Sequence, residues 1–179
     1  PSSAQGQELL SFAALCNNSS LSGSCGEWQA TGDPTETALL VAAAQAGQVK
    51  ASLDNVYPRV GEIPFDSNRK RMTTIHRLQG GRYRVITKGA PDVLMSLCRL
   101  APSEARRIEQ QNENMASRAL RVLGVAYRDV EVLPRGEAAL EQGLTFCGLI
   151  GMIDPPRPQA KAAVNECKRA GIRPVMITG

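Results

Sequence analysis

The residues whose types most clearly suit ligand binding lie in one basic stretch, EIPFDSNRKRMTTIHRLQGGRYRVITKGAP. Phe65 offers a flat ring on which a planar base can stack, an interaction worth roughly 1–3 kcal/mol. Lys70 follows in a turn, and Lys88 precedes Gly89, whose missing side chain lets a ligand approach the backbone. Pro91 then begins a helix, and free amides at a helix start favour an anion. A ring, two cations and a helix start together suit a nucleotide.

Each of these residues also has a purely structural interpretation. Phe65 equally suits a core position at the end of a strand. Lys70 lies between two arginines, a pattern typical of a solvated hairpin flank that protects an edge strand. The Lys-Gly-Ala-Pro sequence that begins at Lys88 is compatible with a simple turn from a strand into a helix. The residues alone leave both interpretations open.

Glu36 has the same ambiguity. In GDPTETALLVAAAQAG, Asp33 suits the N-cap of a helix, Pro34 the first helical position and Gly47 the stop. Glu36 lies three residues after the cap, which is the spacing of a capping box. Capping therefore explains this carboxylate completely, and a binding role is the secondary interpretation.

Composition limits the classes of function. The chain has 179 residues, of which 42% are apolar and 21% charged, so it suits one folded core plus a remainder. The net charge of +4 favours an anionic partner. Aromatic residues make up only 4%, and the absence of an RNP-like or zinc-finger pattern disfavours nucleic acid. Five dispersed cysteines and one histidine predict reduced thiols and no structural zinc.

The hydrophobic periodicity predicts an α+β fold with a mainly antiparallel sheet flanked by helices. A hairpin is expected across Gln79-Gly80-Gly81. No apolar run approaches the roughly 20 residues needed to cross a bilayer, and the first residues do not resemble a signal peptide, so a soluble piece is expected. The periodicity predicts helices at 7–16, 34–46, 91–98, 103–120 and 159–171, and strands at 61–65, 71–78, 82–88, 121–130, 144–153 and 172–178. The polar segment 17–28 is predicted to be a loop, and His76 is predicted to be a half-exposed strand residue.

The character of the chain changes at DPPRP, residues 154–158, where three prolines in five positions predict a stiff connection. One interpretation makes 144–179 a βαβ unit in which Asp154 and Thr178 converge at strand ends. The other makes DPPRP a hinge between domains. Sequence statistics do not separate the two.

Stand-alone phosphate-binding and hydrolase motifs are absent: the chain has no GxxxxGK[ST], no GxGxxG and no GxSxG. A phosphatase of the haloacid-dehalogenase type would need a DxDx[TV] motif, which is also absent. A non-enzymatic domain that binds an acidic protein or nucleic acid through its basic hairpin remains the alternative function.

Seven segments together resemble the nucleotide-binding domain of P-type cation-pumping ATPases, in particular the sarcoplasmic-reticulum-like and bacterial calcium pumps. They occur in the family's order along nearly the whole chain: ALCNNS, GDPTETALL, IPFDSNRKRMTTI, VITKGAPDVLMSLC, ALRVLGVAYRD, LTFCGLIGMIDPPRP and CKRAGIRPVMITG. The resemblance implies an antiparallel sheet of about seven strands between helical layers. It also implies a nucleotide-binding domain at 1–153, a hinge at 154–157 and, at 158–179, a helix-strand fragment of a haloacid-dehalogenase-like phosphorylation domain, which favours the hinge interpretation.

The resemblance also implies a role for each site residue. Phe65 would stack on adenine, with Lys88 and Gly89 forming the floor of the pocket and Glu36 facing the adenine edge. The remaining contacts would be Lys70 near the ring and ribose, Arg121 toward the phosphates, and Asp154, Arg157, Thr178 and Gly179 at the phosphate end when the domains close. In muscle-type pumps an arginine follows the phenylalanine by two positions, whereas Ser67 stands here. That phosphate contact is therefore either missing or supplied by Arg69 or Arg71.

The family's phosphorylated aspartate lies in a DKTGT motif, which this sequence lacks. The chain is therefore expected to bind ATP without catalysis, with Mg²⁺ arriving only as the nucleotide complex and no metal site or catalytic residue of its own. The implied setting is a monomeric cytoplasmic domain of an integral membrane pump, without direct membrane contact, whose partners are the phosphorylation and actuator domains. Calcium is the ion that the branch implies, with manganese or another cation as alternatives.

Overall fold

The computed structural model describes residues 3–23, 28–154, 157–175 and 177. None of the described helices is both long and apolar enough to cross a membrane. The helices found in this part of the chain are α1 (Ala4–Leu15), α2 (Pro34–Gln45), α3 (Lys50–Val56), α4 (Pro91–Leu97), α5 (Pro102–Ala116), α6 (Glu137–Leu140) and α7 (Pro158–Arg169).

The described strands form two antiparallel sheets. A small hairpin pairs β1 (Ser20–Ser22) with β2 (Gln29–Thr31). The main sheet is a meander in the order β3-β4-β5-β6-β7, so that each strand lies beside its sequence neighbours. These five strands are β3 (Arg59–Asp66), β4 (Arg71–Arg77), β5 (Tyr83–Gly89), β6 (Arg121–Val130) and β7 (Thr145–Met152). The predicted α+β class is confirmed, although the implied sheet of about seven strands is five strands plus a separate pair.

The hairpin between β4 and β5 forms where it was predicted. Gly80 and Gly81 both adopt positive φ, at 77° and 79°, a conformation that residues with a Cβ rarely reach. Helices α4 and α5 connect β5 to β6, and α6 lies between β6 and β7. Every connection therefore returns the chain to the adjacent strand.

The main sheet has a buried core on each of its two faces. Successive side chains along a strand contribute alternately to one face and the other. We call the face covered by α1 and α2 the front face, where Met72, Ile86 and Val125 pack against Phe12 and Leu39. Burial of a large apolar side chain stabilises the folded state by roughly 1.5–3 kcal/mol. The opposite side is the back face. Its core comprises Ile63, Ile75, Val85 and Leu140 in one cluster and Leu94, Ala126 and Leu144 in another.

Several local predictions were wrong. The segment after α1 was predicted to be a loop, but it contributes β1, and α3 and α6 were not predicted at all. His76 was expected to be half-exposed and is fully buried. These elements are short, and their positions depend on contacts with distant parts of the chain more than on local periodicity.

The C-terminal part agrees with the prediction only in its helix. Helix α7 forms, but residues 172–175 and 177 have no regular structure, so the strand predicted at 172–178 is wrong for those residues. Ile172, Val175 and Ile177 are exposed. A strand needs a backbone partner, and no described strand pairs with this segment. The βαβ interpretation is therefore not realised here, and the hinge at 154–157 stays a prediction.

Candidate functional site

A cleft of about 390 Å³ opens on the front face, beside the start of α2. The size is at the lower end of the range for small-molecule pockets, about 300–1,000 Å³. Five of the ten predicted site residues line it, together with five that the sequence did not single out for binding. The full lining is Asn18, Asp33, Thr35, Glu36, Phe65, Met72, Lys88, Gly89, Arg121 and Leu123.

Phe65 lies at the mouth of this cleft near the end of β3. Its side chain is 64% exposed, whereas Phe12 in the front-face core is 3% exposed. The interpretation of Phe65 as a core residue is therefore wrong. An exposed ring beside a cleft is costly in water, and it provides a flat apolar surface for a ligand.

Lys88 and Glu36 form an ion pair at the floor of the cleft. Lys88 is 5% exposed, and its Nζ donates to Glu36 Oε1 at 2.9 Å. The second oxygen of Glu36, Oε2, accepts from the backbone N–H of Asn18 at 2.8 Å and of Ser19 at 3.2 Å. A buried charge is tolerated when it is paired and its remaining hydrogen-bonding capacity is used, as it is here. Lys88 therefore does more than occupy a turn from strand to helix.

The capping box at the start of α2 is only half formed. Asp33 Oδ1 accepts from the backbone N–H of Thr35 at 2.8 Å and of Glu36 at 3.2 Å, as predicted. Glu36 does not complete the box, because its carboxylate is bonded to Lys88 and to the segment after α1. Burial alone would raise the pKa of Asp33, but the hydrogen bonds from these two amides, together with the Thr35 hydroxyl and the charge of Arg121, lower that pKa.

The segment after α1 is held against the cleft by Arg59. One guanidinium nitrogen, Nη2, donates to the backbone oxygens of Leu15 at 2.8 Å and Asn17 at 2.6 Å. Asn17 is fully buried, and its Nδ2 donates to the backbone oxygen of Glu36 at 2.9 Å. Asn17 and Asn18 belong to the ALCNNS segment, which was the only sequence signal for this wall of the cleft.

Arg121 lies at the open side of the cleft. It is exposed, and its Nη1 donates to Thr35 Oγ1 at 3.0 Å. Lys88 is already neutralised by Glu36, whereas Arg121 makes no ion pair with any of the residues that the structure describes. This arrangement places a positive charge at the open side and a compensated pair at the floor.

Gly89 lines the cleft only through its backbone. A Cβ added there would lie 2.4 Å from the backbone oxygen of Lys70 and 2.6 Å from Arg71 Cβ. The missing side chain is therefore explained by close packing against the turn that precedes β4. The expectation that it makes space for a ligand is not needed to explain the glycine.

The other predicted site residues do not line the cleft. Lys70 is exposed at a positive φ of 53°, and its backbone oxygen accepts from the N–H of Ala90 at 3.0 Å. Asp154 and Arg157 are exposed. Thr178 and Gly179 lie outside the described residues. The helix start at the cleft belongs to α2, whereas Pro91 begins the seven-residue α4, which packs through Leu94 into a back-face cluster.

Neither Arg69 nor Arg71 compensates for Ser67 at the cleft. Both guanidinium groups pair with Glu141, and none of these three residues lines the cleft. The first of the two alternatives, a missing contact, therefore fits the described structure better. Among the residues that the structure describes, no cluster of three His, Cys, Asp or Glu side chains is placed to hold a metal ion.

The family of the chain follows from comparison with known proteins. Residues 5–159 match the family described as the P-type ATPase, cytoplasmic domain N. A calcium-transporting ATPase of Bacillus subtilis is 44% identical to this chain over 97% of it and 21% of the relative. The cation-transporting ATPase pma1 of Synechocystis is 40% identical over 97% of the chain and 20% of the relative. The sodium/potassium exporting P-type ATPase cta3 of Schizosaccharomyces pombe is 40% identical over 96% and 18%.

The chain spans about a fifth of the length of these relatives. The family match covers the cleft, both sheets and every helix through α6. It confirms the family that the seven segments predicted, together with the prediction of a cytoplasmic domain. The chain therefore belongs to the family of P-type ATPase cytoplasmic N domains.

Proposed function

We propose that this domain binds ATP in the front-face cleft and positions it for transfer of the γ-phosphate to an aspartate elsewhere in a cation pump. One observation carries the proposal. The cleft brings an exposed aromatic ring, Phe65, together with the buried Lys88–Glu36 pair and the exposed cation Arg121. An aromatic surface, a few convergent polar groups and a cation at the exit suit a purine nucleotide.

Each residue has a distinct part in this proposal. Phe65 stacks on the base, and Lys88 closes the floor beneath it. Glu36 holds Lys88 in place through Oε1 and, because 15% of its side chain is exposed, exchanges a protein partner of Oε2 for the amino edge of adenine. Arg121 attracts the phosphate chain toward the open side. Because phosphoryl transfer depends mainly on positioning and charge neutralisation, a domain that orients ATP contributes without covalent chemistry of its own.

Magnesium is proposed to arrive with the nucleotide. Mg²⁺ retains several waters and is commonly bound through one or two carboxylates plus substrate phosphates. The carboxylate at the floor, Glu36, is occupied by Lys88 and two backbone amides. The residues present therefore fit a nucleotide-borne ion better than a site of the domain's own.

The rest of the pump is also a proposal, since the chain covers about a fifth of its relatives. We propose calcium as the transported ion, because several of the similar proteins are named calcium-transporting ATPases. The monomeric domain would work with phosphorylation and actuator domains. Asp154, Arg157, Thr178 and Gly179 would approach the phosphates when the domains close. Uptake assays on the full-length protein in vesicles, with calcium, manganese and sodium compared, would identify the ion.

Binding to this chain is tested with Phe65→Ala, and Phe65→Tyr is the matched control because it keeps a ring. Loss of stacking should weaken ATP and adenosine affinity by about tenfold, which corresponds to about 1.4 kcal/mol. Titration calorimetry or chemical-shift mapping measures both ligands. Phe65→Tyr should bind both nearly as the wild type does. If Phe65→Ala binds ATP as the wild type does, the proposed cleft is wrong.

Arg121→Met separates the phosphate end from the base. It should weaken ATP binding by about tenfold or more, since a charge-assisted contact is worth roughly 1.5–3 kcal/mol, while adenosine binding stays constant.

The alternative of a basic interaction domain gains little from the structure. The arginines of the basic stretch are mostly paired, Arg69 and Arg71 with Glu141 and Arg84 with Asp129. Paired guanidinium groups are less available to an acidic partner. A salt titration separates the two functions, because binding to a polyanion weakens steeply with added salt.

A further inference from the structure

A buried carboxylate lies on the back face, on the far side of the sheet from the cleft. Glu141 follows α6 and is 1% exposed. Its Oε2 accepts from Arg71 Nε at 2.8 Å, and its Oε1 accepts from Thr73 Oγ1 at 2.6 Å. Oε1 also pairs with Arg69 Nη2. Thr73 Oγ1 in turn lies 3.0 Å from Thr87 Oγ1 on the adjacent strand.

The segment that carries Glu141 is itself firmly anchored. Leu140 packs into the back-face cluster with Ile63, Ile75 and Val85. Arg128 on β6 donates to the backbone oxygens of Ala139 and Gln142. Leu144 is fully buried; its backbone N–H donates to the oxygen of Leu97, the last residue of α4, and its oxygen accepts from the N–H of Arg99. Glu141 is therefore presented from a fixed support.

What Glu141 holds is the turn between β3 and β4, residues 66–70. The turn is closed by the backbone N–H of Lys70, which donates to the Asp66 oxygen at 2.7 Å. Arg69 lies inside the turn, and Arg71 is the first residue of β4. The backbone oxygen of Lys70 accepts from the N–H of Ala90 at 3.0 Å, which ties the turn to the end of β5.

Phe65 depends on this turn for its position. The regular pairing of β3 with β4 shifts register between Ile63 and Asp66, so the ladder leaves the Phe65 backbone without a regular partner. Beyond the shift, the next pair is Asp66 with Arg71, and Arg71 is bonded to Glu141. The first regular strand pairing after Phe65 is therefore made with Arg71, a residue that Glu141 binds.

We propose that Glu141 is a positioning residue for the cleft. By binding Arg69 and Arg71 on the back face, it fixes the turn that presents Phe65, and it keeps both guanidinium groups away from the nucleotide. The effect on nucleotide binding rests on the proposed function, whereas the effect on the turn does not.

The charge of Glu141 supports this role. Burial alone would raise the pKa of its carboxyl group, but hydrogen bonds from Thr73, Arg71 and Arg69 outweigh burial and lower that pKa. The group is therefore a carboxylate at neutral pH and a strong acceptor for both arginines. Glutamine keeps the shape and removes the charge, so Glu141→Gln is the sharpest variant.

The experiment compares the wild type with Glu141→Gln and with Asp129→Asn as the matched control. Asp129→Asn weakens another carboxylate–arginine pair of the same sheet, the one with Arg84, which does not line the cleft. Without ligand, Glu141→Gln should increase amide hydrogen exchange at Lys70 and Ala90 by about tenfold, as expected when local opening becomes easier. Asp129→Asn should leave both amides unchanged.

The second readout is adenosine affinity, which should weaken by about fivefold in Glu141→Gln because the stacking ring is less well placed. Coupling shows whether Glu141 acts through the arginines. In an Arg69→Met, Arg71→Met background, adding Glu141→Gln should cause no further loss, a non-additivity that independent effects do not produce.

The outcomes separate the two claims. Wild-type exchange rates and wild-type affinity in Glu141→Gln would overturn the positioning role. Faster exchange at Lys70 and Ala90, with no adenosine binding even by the wild type, would keep the role in the turn and reject the proposed function. If Glu141→Gln does not fold, Arg71→Met alone gives the same two readouts, and unchanged values there would also overturn the proposal.

Discussion

Two ion-paired glutamates lie on opposite faces of the same sheet, and they differ in solvent access. Glu36 on the front face pairs with one lysine, lines the cleft and keeps 15% of its side chain exposed. Glu141 on the back face pairs with two arginines and a threonine, and 2% of its side chain is exposed. The sheet thus separates an ion pair open to a ligand from one closed by the protein.

The comparison shows why the same residue type is proposed to bind a ligand in one place and to support the fold in the other. A carboxylate beside a cleft can exchange a protein partner for a ligand, because water and ligand reach it. A carboxylate that neither water nor ligand reaches cannot do so without a large loss. Solvent access, more than residue type, decides which of the two bears on binding directly.

The largest effect is expected when the back-face cluster of Glu141 with Arg69, Arg71 and Thr73 is broken. Glu141→Ala should lower the free energy of unfolding by about 3 kcal/mol, because it leaves two guanidinium groups and a threonine hydroxyl without their acceptor. Glu36→Ala should cost about 1 kcal/mol, because Lys88 lines the cleft and can gain water there. Urea unfolding of both variants measures the difference. Equal losses would show that the two glutamates are equivalent.

A second expectation uses pH to separate the faces. Burial lowers the pKa of His76, on the front face, to about 4, and its ring bonds to the Tyr57 backbone oxygen and to Thr74. A folded-state pKa below the unfolded value of about 6.5 means that the unfolded chain binds the proton first, so stability falls as pH drops. Between pH 7 and pH 5 the loss should be about 2 kcal/mol.

The pKa of Glu141 is lowered, so its contribution is lost only in more acidic solution, below the ordinary glutamate value of 4.5. The two windows therefore separate the front-face histidine from the back-face glutamate. Unfolding measured at several pH values, with His76→Asn as the comparison, tests this. The variant should show a flatter profile between pH 7 and pH 5, and a profile identical to that of the wild type would reject the assignment.

A third expectation concerns two glycines that pair across β5 and β6. Gly89→Ala should lower the free energy of unfolding by about 2 kcal/mol, since the new Cβ meets backbone atoms that cannot move independently. Gly124 pairs directly with Gly89, and a Cβ there would be 3.4 Å from Leu94 Cδ2, an ordinary contact. Gly124→Ala should therefore stay within about 1 kcal/mol of the wild type. Thermal unfolding compares them, and reversed losses would contradict the packing argument.

The smallest expected effect concerns the helix start at the cleft. Asp33→Ala should lower stability by about 1 kcal/mol, because the amides of Thr35 and Glu36 lose their acceptor. Asp33→Asn keeps the cap and should lose only a few tenths. By contrast, the N-cap of α4, Ala90, makes no side-chain hydrogen bond, so α4 has no such contribution to lose. Chemical denaturation of the two variants decides, and equal losses would exclude a capping role.

The sequence by itself determined the α+β class, the β4–β5 hairpin and the start of α2. These features depend on alternation, on glycine in a tight turn and on an acceptor at a helix start, all of which act over a few residues. Through the resemblance to a family that is now confirmed, it also predicted five of the residues that line the cleft, namely Phe65, Lys88, Glu36, Gly89 and Arg121.

The tertiary structure alone decided which of the basic residues are free and which are paired. Glu36 meets Lys88 across 52 positions, and Glu141 meets Arg71 across 70. No local pattern encodes such distant contacts, which explains why Glu141, the burial of His76 and the position of Lys70 outside the cleft were not foreseen. Physically, a charge becomes a binding group or a support according to the low-dielectric surroundings that only the assembled fold creates.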